Sequence, residues 1–196
     1  MRLNLVIAGV GGQGVVTLAS VLVHAAVVEG YDARFLAQSG LSQIGAPVFA
    51  HVRVGSPAGP SPKVPRGEAH VVIGLERLEA LRLAPYLRPG GTALLSDEAV
   101  RPYEARFAPG RYPGREDVEQ AFPGADLRWV PAWEIALRHG PPALVSAVML
   151  GALAGVSSVV ERDNLVRSLR EAKPTLADAE VEAFFDGFGA VTGRED

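Results

Sequence analysis

Apolar positions in the first forty residues fall into two runs separated by a glycine-rich turn. Residues 3–8 form a short β-prone run, and residues 15–28 form a long apolar stretch with few polar interruptions. A strand, a glycine turn and a helix in this order open a βαβ unit. We therefore predict that residues 31–37 form a second strand, joined to the first by the right-handed crossover of a parallel sheet.

Strands and helices are predicted to alternate through the middle of the chain. Residues 48–54 alternate between apolar and other side chains with a period of two, which is typical of a strand. The other elements predicted here are a strand over residues 69–74, a helix over 76–87 with Leu78, Leu81 and Tyr86 inward, a Pro89-Gly90-Gly91 turn, a strand over 92–96, a helix over 115–122 and a strand over 127–130. This alternation predicts an α/β fold with a Rossmann-like open, mainly parallel sheet and flanking helices.

The last third of the chain is predicted to be helical. Pro131 and Glu134 suit the first turn of a helix, because proline lacks an amide that is unpaired there and a carboxylate complements the helix dipole. Residues 143–155 are almost wholly apolar, so that helix must be covered on most sides. Two amphipathic helices are predicted to follow, over residues 161–171 and 175–191.

The glycine turn carries the clearest chemical signal. Gly9, Gly11 and Gly14 satisfy the pattern G-x-G-x-x-G, with a strand before it and a helix after it, as that pattern requires. Glycine permits positive φ and close approach of backbone amides to a ligand, and the helix offers unpaired amides and a positive dipole end. We therefore predict a phosphate or carboxylate ligand. The alternative is that the glycines only permit a tight turn and close packing of the helix on the strand.

Several classes of enzyme lack their motifs. Residues 36–39 contain neither the acid that binds the NAD ribose nor an arginine for a 2′-phosphate, which disfavours a nicotinamide enzyme. No H-E-x-x-H, G-x-S-x-G or G-x-x-x-x-G-K-[ST] motif occurs. The absence of cysteine excludes disulfides, thiolate zinc sites and cysteine-ligated iron–sulfur clusters on this chain. We assign no catalytic residue and no metal ligand.

The strand predicted over residues 48–54 places Phe49, His51 and Arg53 on one face. Two interpretations remain open for this face. It is either the solvated face of an edge strand or a surface that contacts a ligand or a neighbouring subunit. His24 and His70 lie in an apolar helix and at the start of a buried strand, and we interpret both as hydrogen-bonded structural residues.

Composition and charge limit the number of domains and the classes of binding partner that we expect. With 196 residues and 48% hydrophobic content, we predict one domain, made of an α/β core over residues 1–140 and a helical part over 141–196. A net charge of −3 without a basic cluster disfavours nucleic acid and membrane surfaces as partners. Residues 15–28 are too short and too interrupted to span a bilayer comfortably, and no signal-peptide pattern is present. The predicted location is the cytoplasm.

The turn from Gly9 to Val15 resembles the G-x-G-G-Q-G-[IV] opening of the gamma subunits of 2-oxoacid:ferredoxin oxidoreductases, which act on pyruvate, ketoisovalerate or indolepyruvate. Further stretches agree with the family in order and spacing. They are Gly40, Gln43 and Gly45 followed by His51 and Arg53, the segment from Glu68 to Gly91, the Pro131 to Gly140 block and Met149 to Ala152. Two departures are Ile44 and Ser146, where the family usually has arginine and asparagine.

The resemblance implies that this chain is one subunit of a complex in which other subunits carry the redox cofactors. The family oxidises and decarboxylates a 2-oxoacid to an acyl-coenzyme A and passes electrons to ferredoxin, with thiamine diphosphate, Mg and iron–sulfur clusters expected on partner subunits. Alpha and beta subunits are implied partners, and a ferredoxin-like delta subunit remains open. This chain would complete the active site and accommodate coenzyme A through Gly9, Gly11, Gly12, Gln13 and Gly14. Gly40, Gln43, Gly45, His51 and Arg53 are the expected ligand or subunit contacts.

Two alternatives belong to other functional classes. One is a stand-alone oxidoreductase that binds a nicotinamide or flavin cofactor, against which the missing acid after the second strand speaks. The other is a non-catalytic module that binds a coenzyme.

Overall fold

The structure is a computed structural model that describes residues 3–39, 45–55, 61–98 and 112–193. Within these ranges the chain forms one sheet of six strands flanked by helices. The strands are β1 (Leu3–Val10), β2 (Ala33–Ser39), β3 (Pro47–Val54), β4 (Ala69–Gly74), β5 (Leu87–Ser96) and β6 (Asp126–Val130). The helices are α1 (Val15–Val28), α2 (Arg77–Leu81), α3 (Arg115–Gln120), α4 (Ala132–His139), α5 (Val145–Val156), α6 (Arg162–Ala172) and α7 (Ala177–Thr192).

The sheet is mainly parallel, as the sequence predicts. Its order is β2-β3-β1-β4-β5-β6. β1, β4, β5 and β6 pair in parallel, whereas β3 runs antiparallel to both of its neighbours, β1 and β2. The mainly parallel Rossmann-like sheet with a helical C-terminal segment is therefore confirmed.

The second strand runs parallel to the first in the same sheet, as predicted, but the two strands are not neighbours. β2 runs in the same direction as β1, but β3 lies between them. The reason is the length of the connection from β2 to the next strand, residues 40–46. A parallel crossover needs a dozen or more residues, so the chain returns antiparallel instead and inserts β3 beside β1.

The region after β4 also differs from the prediction. The helix predicted over residues 76–87 ends as α2 at Leu81, and a short 3₁₀ turn, Ala84–Tyr86, follows. Pro85 explains the break, because proline lacks an amide hydrogen and its ring clashes with the carbonyl four residues earlier. The Pro89-Gly90-Gly91 segment lies inside β5 rather than before it, and the register with β4 shifts between Ala69 and Val71.

The sheet is covered on both faces. Leu5 and Ile7 of β1 point into a core shared with α1, α5 and α7, whereas Val6 and Ala8 point into a second core under α2 and α3. This double cover explains why every residue of β1 is buried. None of the described helices is both long enough and apolar enough to cross a membrane.

α5 and α7 pack with their main chains in direct contact. A Cβ built on Gly151 of α5 would overlap the carbonyl oxygen of Phe184, and a Cβ built on Gly187 of α7 would overlap that of Val148. Residues 145–153 are buried without exception. The prediction that the apolar helix is covered on most sides is therefore confirmed, and α7 provides a large part of that cover.

Candidate functional site

The glycine turn is held by backbone hydrogen bonds to the two residues just before β3. The Gly11 amide donates to the Ala46 carbonyl oxygen at 2.8 Å, and the Gly45 amide donates to the Gly11 oxygen at 3.3 Å. The Gln13 amide donates to the Val10 oxygen at 3.1 Å and closes the turn on itself. Gly45, a predicted contact residue, therefore touches the turn itself.

The Gln13 side chain points into the protein. Its Oε1 accepts a hydrogen bond from the Val10 amide at 2.9 Å, and its Nε2 donates to the Leu75 carbonyl oxygen at 3.0 Å. Leu75 directly follows β4, the strand beside β1. Gln13 thus links the turn to the end of the neighbouring strand and stabilises the conformation of the turn. The motif alone does not reveal that the Gln13 side chain points inward.

Other amides of the turn have no backbone acceptor in the part of the chain that the structure describes. They belong to Gly12, Gly14 and Val15. The first intrahelical bond of α1 runs from the Leu18 amide to the Gly14 oxygen, as expected for a helix whose first amides are unpaired. α1 has neither a side-chain N-cap nor an acidic residue in its first turn. The positive end of the helix is therefore available to an anion.

The glycines of the turn differ in what surrounds them. A Cβ on Gly9 would lie 2.8 Å from Gln13 Oε1 and 3.0 Å from Leu75 Cβ. A Cβ on Gly14 would lie 2.7 Å from the Cβ and Oγ atoms of Ser146. Gly12, with φ +104°, has no atom of the described residues within 4 Å of that position. Close packing therefore explains Gly9 and Gly14, whereas the open side of Gly12 leaves room for a ligand.

A cavity of about 380 Å³ lies against the open side of the turn. Its walls come from the turn, the first residues of α1, the end of β2, the start of β3, the segment before α5 and the segment between α6 and α7. The lining residues are Val10, Gly11, Gly12, Gly14, Val15, Val16, Thr17, Ser39, Val48, Ala143 and Lys173. The C-terminal helical segment therefore contributes Ala143 and Lys173 to a cavity whose other lining residues belong to the α/β core.

Sequence reasoning missed Lys173 at this cavity. Its ammonium group lies 2.9 Å from the Glu180 Oε1 atom, and the Glu180 side chain is almost completely buried. The one feature of the sequence that could have drawn attention to Lys173 is the scarcity of lysine, since Lys63 and Lys173 are the only lysines of the chain. No spacing relates Lys173 to the glycine motif, because α6 and α7 bring it there.

His51 and Arg53 do not line the cavity. β3 is not an edge strand, so the interpretation of their face as the solvated side of an edge is wrong. The His51 ring packs edge-on against Tyr86 with the centroids 5.4 Å apart, and only 1% of His51 is exposed. Arg53 donates to Asn4 Oδ1 at 3.3 Å and to the Ser61 oxygen at 3.1 Å.

Burial, with a smaller contribution from Lys63, lowers the pKa of His51 below its ordinary value. His51 is therefore neutral near pH 7. Gly40, Gln43 and Ile44 lie outside the described residues.

His24 and His70 are hydrogen-bonded, as predicted. His24 Nδ1 lies 3.0 Å from Ser168 Oγ on α6, and His70 Nδ1 accepts a hydrogen bond from the Asn4 amide at 2.9 Å. Glu134 lies in the first turn of α4, also as predicted.

A buried carboxyl group lies next to the anchor of the turn. Glu76 follows Leu75, and its Oε2 accepts a hydrogen bond from the Glu79 amide at 2.9 Å, capping α2. Burial raises the pKa of Glu76 to about 7, against smaller opposing effects of the backbone amides. This carboxyl therefore titrates near neutral pH.

Comparison with known proteins gives a consistent set of relatives. The family model described as pyruvate ferredoxin/flavodoxin oxidoreductase matches residues 4–190. Indolepyruvate oxidoreductase subunit IorB of Methanothermobacter thermautotrophicus is 31% identical over 97% of this chain and 98% of the relative. Pyruvate synthase subunit PorC of Methanothermobacter marburgensis is 28% identical over 89% of each chain.

Solved structures share the fold at lower identity. The pyruvate oxidoreductase subunit PORC of Thermotoga maritima superposes with a TM-score of 0.73 at 21% identity, covering 96% of both chains. The 2-oxoglutarate:ferredoxin oxidoreductase of Magnetococcus marinus, solved with 2-oxoglutarate, coenzyme A and succinyl-CoA bound, gives a TM-score of 0.74 at 16% identity. This chain corresponds to 32% of that longer chain and is covered over 99% of its own length.

Proposed function

Because this chain belongs to the pyruvate ferredoxin/flavodoxin oxidoreductase family and matches its gamma-type subunits end to end, we propose that its glycine turn receives coenzyme A. The resemblance deduced from the glycine motif is confirmed by this membership. The chain is a gamma-type subunit of a 2-oxoacid:ferredoxin oxidoreductase, and the relatives support this assignment over a stand-alone nicotinamide or flavin enzyme.

The observation that carries the proposal is a set of amides without a backbone acceptor among the described residues, which lie beside an open cavity. The amides of Gly12, Gly14 and Val15 lie on the side of the turn where α1 begins, next to a cavity of about 380 Å³. Phosphates bind well at such helix N-termini, since several N–H groups and the dipole act together. Coenzyme A carries a diphosphate and a separate phosphate, so the residues present fit this group.

The chain's own residues bind and orient rather than react. Coenzyme A would supply the thiol that receives the acyl group, while this chain would hold the nucleotide end in place. The chain has no cysteine to ligate an iron–sulfur cluster. We assign thiamine diphosphate, Mg and the clusters to alpha and beta subunits, with a ferredoxin-like delta subunit where one is present. Ferredoxin is the proposed electron acceptor.

We take indolepyruvate as the first candidate for the 2-oxoacid. The relatives named as indolepyruvate oxidoreductase subunits are 31% to 36% identical to this chain, whereas those named as pyruvate synthase subunits are 28% identical. Assaying the complex purified from its native host with indolepyruvate and with pyruvate tests this choice. Faster ferredoxin reduction with pyruvate would contradict it.

Replacement of Gly12 by valine tests the coenzyme A proposal. Because Gly12 has open space on the cavity side, a bulky side chain there would block the ligand without a clash inside the protein. Calorimetric titration of coenzyme A into the assembled complex should show at least tenfold weaker binding. Gly30→Val is the matched control, since Gly30 also has a positive φ and open surroundings but lies at the far end of α1. Unchanged affinity in Gly12→Val would refute the proposal.

A further inference from the structure

Lys173 is the charged side chain among the residues that line the cavity in the described structure. It lies between α6 and α7, on the wall contributed by the C-terminal part. Lys173 lines the cavity, and 28% of its side chain is exposed. The other lysine, Lys63, belongs to the segment before β4, and its charge acts on His51 rather than on the turn.

Glu180 holds the Lys173 ammonium group in place. The two charged groups are 2.9 Å apart, and 1% of the Glu180 side chain is exposed. Such pairing is costly for stability, because removing two charges from water offsets most of their attraction. The contact is an ion pair, since neither Glu180 carboxylate oxygen has a hydrogen-bond partner among the described residues. An ammonium group has three N–H donors that a phosphate can use. Because Glu180 is buried in the core, its carboxylate restricts where the Lys173 ammonium group can lie.

The cavity therefore has two sources of positive potential of different kinds. The amides of Gly12, Gly14 and Val15, which have no backbone acceptor among the described residues, lie within four residues of one another, and this arrangement suits the adjacent phosphates of a diphosphate. Lys173 is a single point charge on a different wall, which suits an isolated phosphate group.

We propose that Lys173 binds the 3′-phosphate of coenzyme A, with Glu180 as its positioning residue, while the glycine turn binds the diphosphate. This inference rests on the proposed function. It makes Lys173 the residue that distinguishes coenzyme A from its 3′-dephospho form.

Binding of both ligands to the assembled complex tests the inference. Wild-type complex should bind coenzyme A about tenfold to a hundredfold more tightly than 3′-dephospho-coenzyme A, as expected for a charged hydrogen bond. The double variant Lys173→Met/Glu180→Gln should lose that preference and bind the two ligands equally. It removes both charges together, so that no unpaired carboxylate is left buried. Lys173→Arg retains a cation and should retain the preference.

Lys63→Met is the matched control, because it removes the same charge from the other lysine and should leave both affinities unchanged. Equal loss of affinity for the two ligands in the double variant would place Lys173 on the diphosphate and overturn the assignment. An unchanged preference for coenzyme A in the double variant would overturn it entirely. Thermal unfolding of each variant verifies that the chain is folded.

A chemical footprint needs no variant. Acetylation of the complex by an amine-reactive ester should be several-fold slower at Lys173 when adenosine 3′,5′-bisphosphate is present, with Lys63 unaffected. Equal rates at Lys173 with and without that probe would contradict the inference. If Gly12→Val weakens coenzyme A binding but the double variant retains the wild-type preference, the Lys173 inference alone fails. If Gly12→Val has no effect, the proposed function fails.

Discussion

Gly14 and Ser146 are packed so closely that the N-cap of α1 and the first turn of α5 have no space between them. A Cβ on Gly14 would lie 2.7 Å from both the Cβ and the Oγ of Ser146. The Ser146 hydroxyl donates to the Ala143 carbonyl oxygen at 3.1 Å, so the serine is itself fixed at the start of its helix. The contact joins the glycine turn to the cavity wall on which Ala143 lies.

Replacing Gly14 by alanine should destabilise the protein by about 2 to 4 kcal/mol. Its φ of +83° costs an alanine about 1 kcal/mol, and the collision with Ser146 adds the cost of an overpacked core. Gly30→Ala is the matched control, because Gly30 has φ +84° and nothing near its Cβ position. Urea unfolding of the two variants measures the difference. Equal losses would show that the Ser146 contact can relax freely.

Replacing Gln13 by leucine should cost roughly 2 to 4 kcal/mol of folding free energy. The variant would leave the Val10 amide and the Leu75 carbonyl oxygen buried without their present partners, each at about 1 to 3 kcal/mol. Gln38→Leu on the exposed end of β2 is the control and should change stability by less than about 0.5 kcal/mol. Urea unfolding is again the measurement, and similar values for both variants would contradict the anchoring role of Gln13.

The carboxyl group of Glu76 should make the protein less stable as the pH rises from about 4.5 to about 7. Below pH 4.5 the group is protonated in both the folded and the unfolded chain, so it has no effect. Between these values the unfolded chain loses the proton first, because burial raises the pKa of folded Glu76 to about 7. The free energy of unfolding should therefore fall by up to roughly 3 kcal/mol.

Glu76→Gln isolates this contribution. The amide oxygen of glutamine can still accept the Glu79 hydrogen bond, while the titration is removed. The variant should melt at a higher temperature than wild type at pH 8, and the two should melt alike at pH 4. Glu134→Gln, at an exposed position in α4, serves as the control and should keep the wild-type pH dependence. A wild-type slope in Glu76→Gln would exclude Glu76 as its source.

Replacing Gly151 by alanine should destabilise the protein by about 3 kcal/mol or more. The added methyl group would collide with the Phe184 carbonyl oxygen, a main-chain atom that cannot rotate away. Gly155→Ala in the same helix meets a methyl group of the Val191 side chain at 2.5 Å instead of a main-chain atom at a shorter distance. Its cost should be smaller, at about 1 to 2 kcal/mol, because the overlap is less severe and alanine also favours the helix. Thermal unfolding of both variants distinguishes the main-chain contact from side-chain crowding.

Local patterns in the sequence were sufficient for most elements. α1 and β4 have the predicted bounds, because apolar runs with clear endpoints encode them. The order of the strands was harder to predict from the sequence, because it depends on which strands pair with one another in the folded chain. The position of β3 between β2 and β1 buries His51 and excludes one of the two interpretations left open for its face, the solvated side of an edge strand.

The same difference between local patterns and tertiary packing decides which parts of the candidate site could be predicted. The turn and its free amides follow from glycine chemistry and helix geometry, both of which are local. Lys173 reaches the cavity only through the packing of α6 and α7, at a separation where no periodicity operates. The inward direction of Gln13 depended on a carbonyl group at the end of β4, which the motif does not contain.

The main-chain contact between α5 and α7 has an effect beyond stability. α5 starts beside Gly14, and α7 directly carries Glu180, the partner of Lys173. Sliding one helix along the other by a single turn would carry the ammonium group about 5.4 Å away from the amides. The main-chain contacts of Gly151 and Gly187 therefore fix the distance between the cavity wall that carries Lys173 and the wall formed by the glycine turn. Attempts to re-engineer coenzyme preference would have to leave both glycines untouched.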